Sequence, residues 1–217
     1  MRMTALKMCR PYQTRLLLAS ESPRRRALLA GLVKEFTVEA SAVEEIAEAS
    51  DMSPLEIAAA NAAAKADAVA QKNPADWVLG ADTVVVLDNK VYGKPRNTNE
   101  AREFLMKFSS RTHEVVTAVA LRNIERNVKD DFASVSQVKF RKLDAETVEK
   151  YLALVPVLDK AGAYGIQDHG DMLVDSVEGE IENIIGLPVK ALAEHFKQLD
   201  VGSDIVIKQW SFDQDES

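Results

Sequence analysis

Residues 16–32 read LLLASESPRRRALLAGL. Three leucines and an alanine make a short apolar strand. Ser22 and Pro23 then carry helix-start chemistry: a hydroxyl that accepts from the first free N–H groups, and a ring whose fixed φ suits the first helical position. The expectation is a strand over Arg15–Ala19 feeding a helix over Arg24–Leu32. The alternation runs on. Phe36–Ala40 alternates as a strand, and Ser53–Pro54 opens a helix through about Lys72, with nine alanines between Ile57 and Ala70. Trp77–Ala81, Val84–Leu87, His113–Arg122 and Ser134–Phe140 read as strands. Thr98–Phe108, with Thr98 as cap, Asp144–Leu154 and Leu187–Leu199 read as helices. Strands interleaved with helices indicate an α/β fold with a parallel or mixed sheet.

Composition bounds the function. Of 217 residues 47% are hydrophobic and 28% charged, enough apolar matter for a core and too much for a disordered chain. No apolar run reaches the ~18 residues a membrane helix needs, so no membrane role is expected. A single cysteine, Cys9, excludes an internal disulfide framework and a cysteine-built zinc site, and fits a reduced, cytoplasmic setting. The net charge of −7 argues against a broad nucleic-acid surface, which needs a positive field. A small anionic ligand is compatible with it if basic residues converge in one cleft. Residues 1–14 read as an N-terminal extension, 15–200 as one domain, and 201–217 as a C-terminal tail whose last residues are polar and acidic.

The usual signatures fail. Gly93–Lys94 is followed by Pro95, so there is no Walker A loop; there is no GxGxxG and no GxSxG; His113–Glu114 meets Thr117 where a zincin needs a second histidine. Chemistry then falls to carboxylates, lysines and arginines, and four segments supply them. Ser20–Arg26 puts three arginines into a first helical turn, where the dipole is already positive; a bound phosphate would reverse that penalty, and a solvated face is the alternative. Arg26 is left to solvent. Gly80–Ala81–Asp82–Thr83 places an acid at the lip of an apolar strand. With Asp88–Asn89 as a two-residue hairpin turn, Leu87 pairs with Lys90 and, counted back, Val84 with Gly93 and Thr83 with Lys94. Asp82, Thr83 and Lys94 would then meet at one end of the ribbon, as a salt bridge or as a base beside a phosphate clamp. Lys160–Gln167 holds two glycines, which permit close backbone approach, and Gln167, whose amide matches a base edge or simply faces water.

Together LLLASESPRRRALL, VLGADTVVVL, Gly93–Lys94–Pro95–Arg96, HEVVTAVAL, DKAGAYGIQ and Ile185–Gly186–Leu187–Pro188 resemble the Maf family of nucleoside triphosphate pyrophosphatases, from about Leu16 to Phe196. The resemblance implies a two-lobed α/β fold, a mixed twisted β-sheet flanked by helices with a cleft between the lobes. It implies a divalent metal cation, Mg²⁺ or Mn²⁺, and a homodimer. The implied activity is hydrolysis of a triphosphate to the monophosphate and pyrophosphate. Carried over by position, Ser20, Arg24 and Arg25 hold phosphates, Glu45 is the acidic cleft residue, Lys65 the helix lysine, Asp82 the catalytic acid/base and Lys94 the second lysine. Arg25, Thr83 and Gln167 fall where substrate subgroups diverge and look like the dTTP/UTP type. Glu45 and Asp82 are the implied metal carboxylates, although Glu44, Glu45 and Glu48 also read as a solvated acidic run. Two departures stand out. Glu21 occupies a place usually small in the family, and Gly179–Glu180–Ile181–Glu182–Asn183 replaces its frequent Gly-Ser-Tyr; no role is assigned to that segment. Two other readings remain beside this one: a non-enzymatic nucleotide-binding regulator of cell division, and a pyrophosphatase for a methylated purine triphosphate.

Overall fold

The computed structural model describes residues 14–47 and 51–208. Seven strands form one mixed sheet: β1 (Leu16–Leu18), β2 (Thr37–Val38), β3 (Trp77–Leu87), β4 (Lys90–Tyr92), β5 (Thr112–Asn123), β6 (Val128–Phe140) and β7 (Val174–Glu178). Among the described residues six α-helices flank it: α1 (Pro23–Leu32), α2 (Pro54–Ala70), α3 (Thr98–Phe108), α4 (Ala145–Leu154), α5 (Ile181–Ile185) and α6 (Val189–Gln198). The order is β2-β1-β3-β5-β6-β7, with β4 also on β3. Pairing is parallel across β2-β1-β3 and antiparallel elsewhere. Among the described residues no helix is long and apolar enough to cross a membrane.

Local chemistry explains most boundaries. Ser22 caps α1 by accepting from Arg25 N, with Pro23 in the first turn. Ser53 and Glu56 close a reciprocal capping box on α2. Helix α3 begins at Thr98, but its cap is Asn97, whose side-chain carbonyl accepts from Glu100 N. Asn97 takes the role expected of Thr98 because its backbone is the extended residue before the first turn. Asp88 and Asn89 both take left-handed φ, +53° and +58°, the geometry of the expected hairpin turn. In place of the two strands expected at Trp77–Ala81 and Val84–Leu87, β3 runs unbroken through Asp82 and Thr83. Strand β7 and helix α5 have too little periodic signal to be read in advance.

The unbroken β3 and its partner β5 carry two separate cores on one face. Trp77, Leu79 and Ala81 join Val119 and Leu121 under α1 and α6; Val85, Leu87 and Val115 join Leu105, Phe108, Val148 and Tyr151 of α3 and α4. These are the two lobes. Thr83 and Thr117, paired in register, interrupt the apolar row between them. The opposite face of the sheet packs a third core, mostly alanine and valine, under α2. Contact there is very close: a Cβ on Gly80 would lie 2.4 Å from Ala62 O and 2.8 Å from Ala66 N. Past residue 200, at the start of the expected tail, Val201 and Ile205 are buried in the first lobe and Ile207 bridges Val33. The expected extension before Thr14, the tail from residue 209, Cys9 and Glu48 lie outside the described residues.

The arrangement leaves a notch in the sheet. One edge of β3 is covered by β5 from Val78 to Val86. The other edge is covered by β1 as far as Leu79 and by β4 from Val85. Between them residues 80–84 have no strand neighbour on that edge among the described residues. Two residues past the end of β1 stands Ser20, and two past the end of β4 stands Lys94, so a polar side chain follows each strand at the gap.

Candidate active site

Asp82 lies in the middle of that gap, on the face covered by α2, and is 7% exposed. Its Oδ1 is 2.7 Å from Lys65 Nζ and its Oδ2 accepts from Asn61 Nδ2 at 3.2 Å. Asn61 and Lys65 are one turn apart on α2, so both reach the same strand residue. Lys65 Nζ also contacts Glu45 Oε1 at 2.7 Å and the Ala81 carbonyl at 3.4 Å, and is itself buried. Glu45 Oε2 faces Lys94 Nζ at 3.9 Å. The continued hairpin expected from Asp88–Asn89 stops at Val85–Tyr92, so Thr83 does not pair with Lys94. Lys94 instead turns away after Gly93 toward Glu45. Burial opposes charge on Glu45, but the Lys65 hydrogen bond and the charges of Lys65, Lys94 and Arg25 outweigh it and hold the carboxyl below its usual range.

On the other face, Arg25 is spread across the notch. Nη2 donates to Thr83 Oγ1 at 3.0 Å, Nη1 to Ser20 Oγ at 3.3 Å, and Nε to the Gly186 carbonyl at 2.9 Å. Gly186 has φ +128°, a conformation costly for a side chain, and sits close to Arg25 and Thr83. Desolvation pulls the Arg25 pKa down, opposed by the charges of Asp82 and Glu45. Those two carboxylates thus act on Arg25 from across the gap. Thr83 shares a hydrogen bond with Thr117, whose hydroxyl donates to the Asn183 carbonyl; Asn183 in turn donates to Val115 O and Ser136 Oγ. A polar belt therefore crosses β3, β5 and β6 where the two lobes meet.

Arg24 points elsewhere. It pairs with Asp159 at 2.7 Å, and Asp159 pairs with Lys160 at 3.0 Å, whose Nζ also lies 3.6 Å from Asp168. This chain of ions ties the first turn of α1 in one lobe to the loop after α4 in the other. Gln167 lies on the wall of an open pocket of about 330 Å³ with Leu154, Val155, Pro156, Asp168, His169 and Asp171, a group that includes neither Asp82 nor Lys65. That loop packs against the β3–β4 hairpin through Gly162, whose N–H donates to Gly93 O and whose left-handed φ of +68° sets it against Val85. Arg26 and Glu21 are both exposed, as expected for Arg26.

The structure thus gathers Ser20, Arg25, Glu45, Lys65, Asp82, Thr83 and Lys94 around one gap, turns Arg24 to Asp159, and puts Gln167 on the wall of a pocket beside Asp168. Sequence reasoning misses Asn61 as part of the site. Its signal is there, one turn before Lys65, but only packing reveals its second role: Ile46 N donates to Asn61 Oδ1 and Asn61 Nδ2 donates to Ile46 O. One amide therefore holds the Glu45 segment and the Asp82 carboxylate together. Sequence reasoning also misses Asp159 and Lys160 as an inter-lobe tie.

A match to the Maf-like protein family spans residues 15–199. The chain belongs to the Maf family. Maf relatives include a dTTP/UTP pyrophosphatase of Akkermansia muciniphila, 47% identical over 80% of this chain and 90% of that protein. Another, from Bacillus cytotoxicus, is 42% identical over 86% of this chain and 96% of its own length. A third, from Fusobacterium nucleatum subsp. nucleatum, is 37% identical over 89% of this chain and its full length. Among solved structures, the Staphylococcus aureus Ham1 protein aligns with a TM-score of 0.48 at 14% identity, over 86% of this Maf chain and 100% of its own.

Proposed function

We propose that the chain hydrolyses nucleoside triphosphates, dTTP and UTP foremost and modified pyrimidine forms included, to the monophosphate and pyrophosphate. The observation that carries the reading is Asp82, held by Lys65 and Asn61 in a strand gap that Arg25 and Lys94 also line. A triphosphate bears close to four negative charges. An acidic protein that gathers guanidinium and ammonium groups at one notch offers it a local counter-field.

In this reading Asp82 orients a water and takes its proton as the water oxygen bonds to the α-phosphorus. The bond from that phosphorus to the bridging oxygen breaks, and pyrophosphate leaves with the electron pair. Each Asp82 oxygen accepts only one hydrogen bond from Lys65 or Asn61, which leaves lone pairs for the water. Arg25, with Ser20 and Thr83 fixing its plane, meets phosphate oxygens through its planar fork. Arg24 joins them on leaving Asp159.

Glu45 and Asp82 fit a hard divalent cation such as Mg²⁺ or Mn²⁺, which takes one or two protein carboxylates together with substrate phosphates and water. Bound there, the ion would neutralise charge developing on the departing pyrophosphate. Gln167 is assigned to the base edge, and the Asp168–Lys160–Asp159–Arg24 tie links its loop to the first turn of α1.

A panel of nucleoside triphosphates assayed for pyrophosphate with Mg²⁺ or Mn²⁺ tests this. Release from dTTP and UTP ahead of CTP and the purines is expected. Binding without release would point to a regulator, and preference for a methylated purine would replace the substrate assignment.

A further inference from the structure

Lys65 occupies the ground between the two carboxylates that a divalent cation would use. Its Nζ meets Asp82 Oδ1 and Glu45 Oε1, both at 2.7 Å, and the Ala81 carbonyl at 3.4 Å. An ammonium has three protons, and three oxygens from two separate chain segments match them. Lys65 is 6% exposed, on the buried side of α2. Among the described residues no group of three or more carboxylates, histidines or cysteines could hold a metal ion. Among the described residues the notch thus offers two carboxylates, both already bound to the Lys65 ammonium. A cation sharing them must displace that charge or lie beside it.

We infer that Lys65 is the resident counter-ion of the notch and keeps divalent cations out until a polyphosphate arrives. Phosphate oxygens then supply further ligands, and they give Lys65 a new anionic partner. Cation and nucleotide binding become mutually dependent, since coupling between two ligands is reciprocal. This rests on the reading of the notch as a triphosphate site, and assigns to Lys65 the order in which that site fills.

Mn²⁺ alone is the probe, added to the full chain without nucleotide and followed by loss of the free-ion electron paramagnetic resonance signal. Wild type should show no stoichiometric site. Lys65→Gln, which keeps hydrogen bonding without the charge, and Lys65→Met, each checked for cooperative thermal unfolding, should gain one Mn²⁺ per chain. The gain should be at least about tenfold in affinity, a lower bound for removing a unit charge at such a distance. Lys65→Arg should behave as wild type, and adding Glu45→Gln to Lys65→Gln should abolish the gained site. Stoichiometric Mn²⁺ binding by wild type alone, or no gain in the neutral variants, overturns the inference. Pyrophosphate release from dTTP by wild type is read separately. Its absence would remove the enzymatic reading without altering the Mn²⁺ result.

Discussion

Lys65 and Asp82 meet at 2.7 Å although they belong to different elements, and the distance is set two residues earlier in the strand by Gly80. A side chain at Gly80 would strike the Ala62 carbonyl at 2.4 Å, so α2 lies as near to β3 as backbone permits. The helix brings Asn61 and Lys65 down onto the carboxylate because nothing separates the two backbones.

Gly80→Ala should therefore lift α2 from the sheet. A loss of about 1–3 kcal/mol is expected from overpacking, measured by denaturant unfolding. Pyrophosphate release should fall further than stability alone accounts for, since the Lys65–Asp82 contact opens as well. A variant with wild-type activity would show that the close approach does not position the site.

Asp82→Asn keeps the shape of the side chain and its hydrogen bond to Lys65 but removes the base. Turnover should drop by about 10²–10⁴-fold, the ordinary worth of a positioned general base, with nucleotide affinity nearly kept. Steady-state kinetics beside a binding titration separates the two. Undiminished turnover would take Asp82 out of the mechanism.

Asn61→Ala removes the amide that clamps Ile46 in both directions and also reaches Asp82. Stability should fall by about 1–3 kcal/mol because buried partners are left unsatisfied. Glu45 should lose its fixed place, so a double-mutant cycle of Asn61→Ala with Glu45→Gln, read in KM, should be clearly non-additive. Simple additivity would mean that Asn61 acts on the fold and not on Glu45.

His113 gives a pH prediction. It is buried, stacked on Phe108 with ring centroids 4.6 Å apart, and hydrogen-bonded to the Tyr164 hydroxyl at 2.8 Å. Burial pushes its pKa from 6.5 down to about 4. Between those values the unfolded chain binds the proton and the folded chain does not. Stability is therefore complete above pH 6.5 and is lost as the pH falls toward 4, by about 3 kcal/mol at most. Chemical unfolding across that range should show the slope in wild type and a shallower one in His113→Phe. Equal slopes would assign the acid sensitivity to other groups.

Much of this is open to reading along the chain. The Ser22 cap, the Asp88–Asn89 turn, the alanine-rich helix and the α/β alternation each rest on interactions between residues a few positions apart, and local propensity expresses them directly. The residue types of the site are legible as well: arginines in a first helical turn, and an acid interrupting an apolar strand, break local rules in ways that ask for a ligand. Only the folded chain decides which of them meet. Lys65 finds Asp82 through the absence of a Cβ at Gly80, Arg25 finds Thr83 because β1 and β4 leave a gap beside β3, and Arg24 is drawn to Asp159 in the other lobe. Gln167, alike in type to a base reader, comes to line a pocket with Leu154, Val155 and His169. Such meetings depend on strand register, helix approach and loop packing between segments far apart in sequence, and no short-range preference encodes those distances.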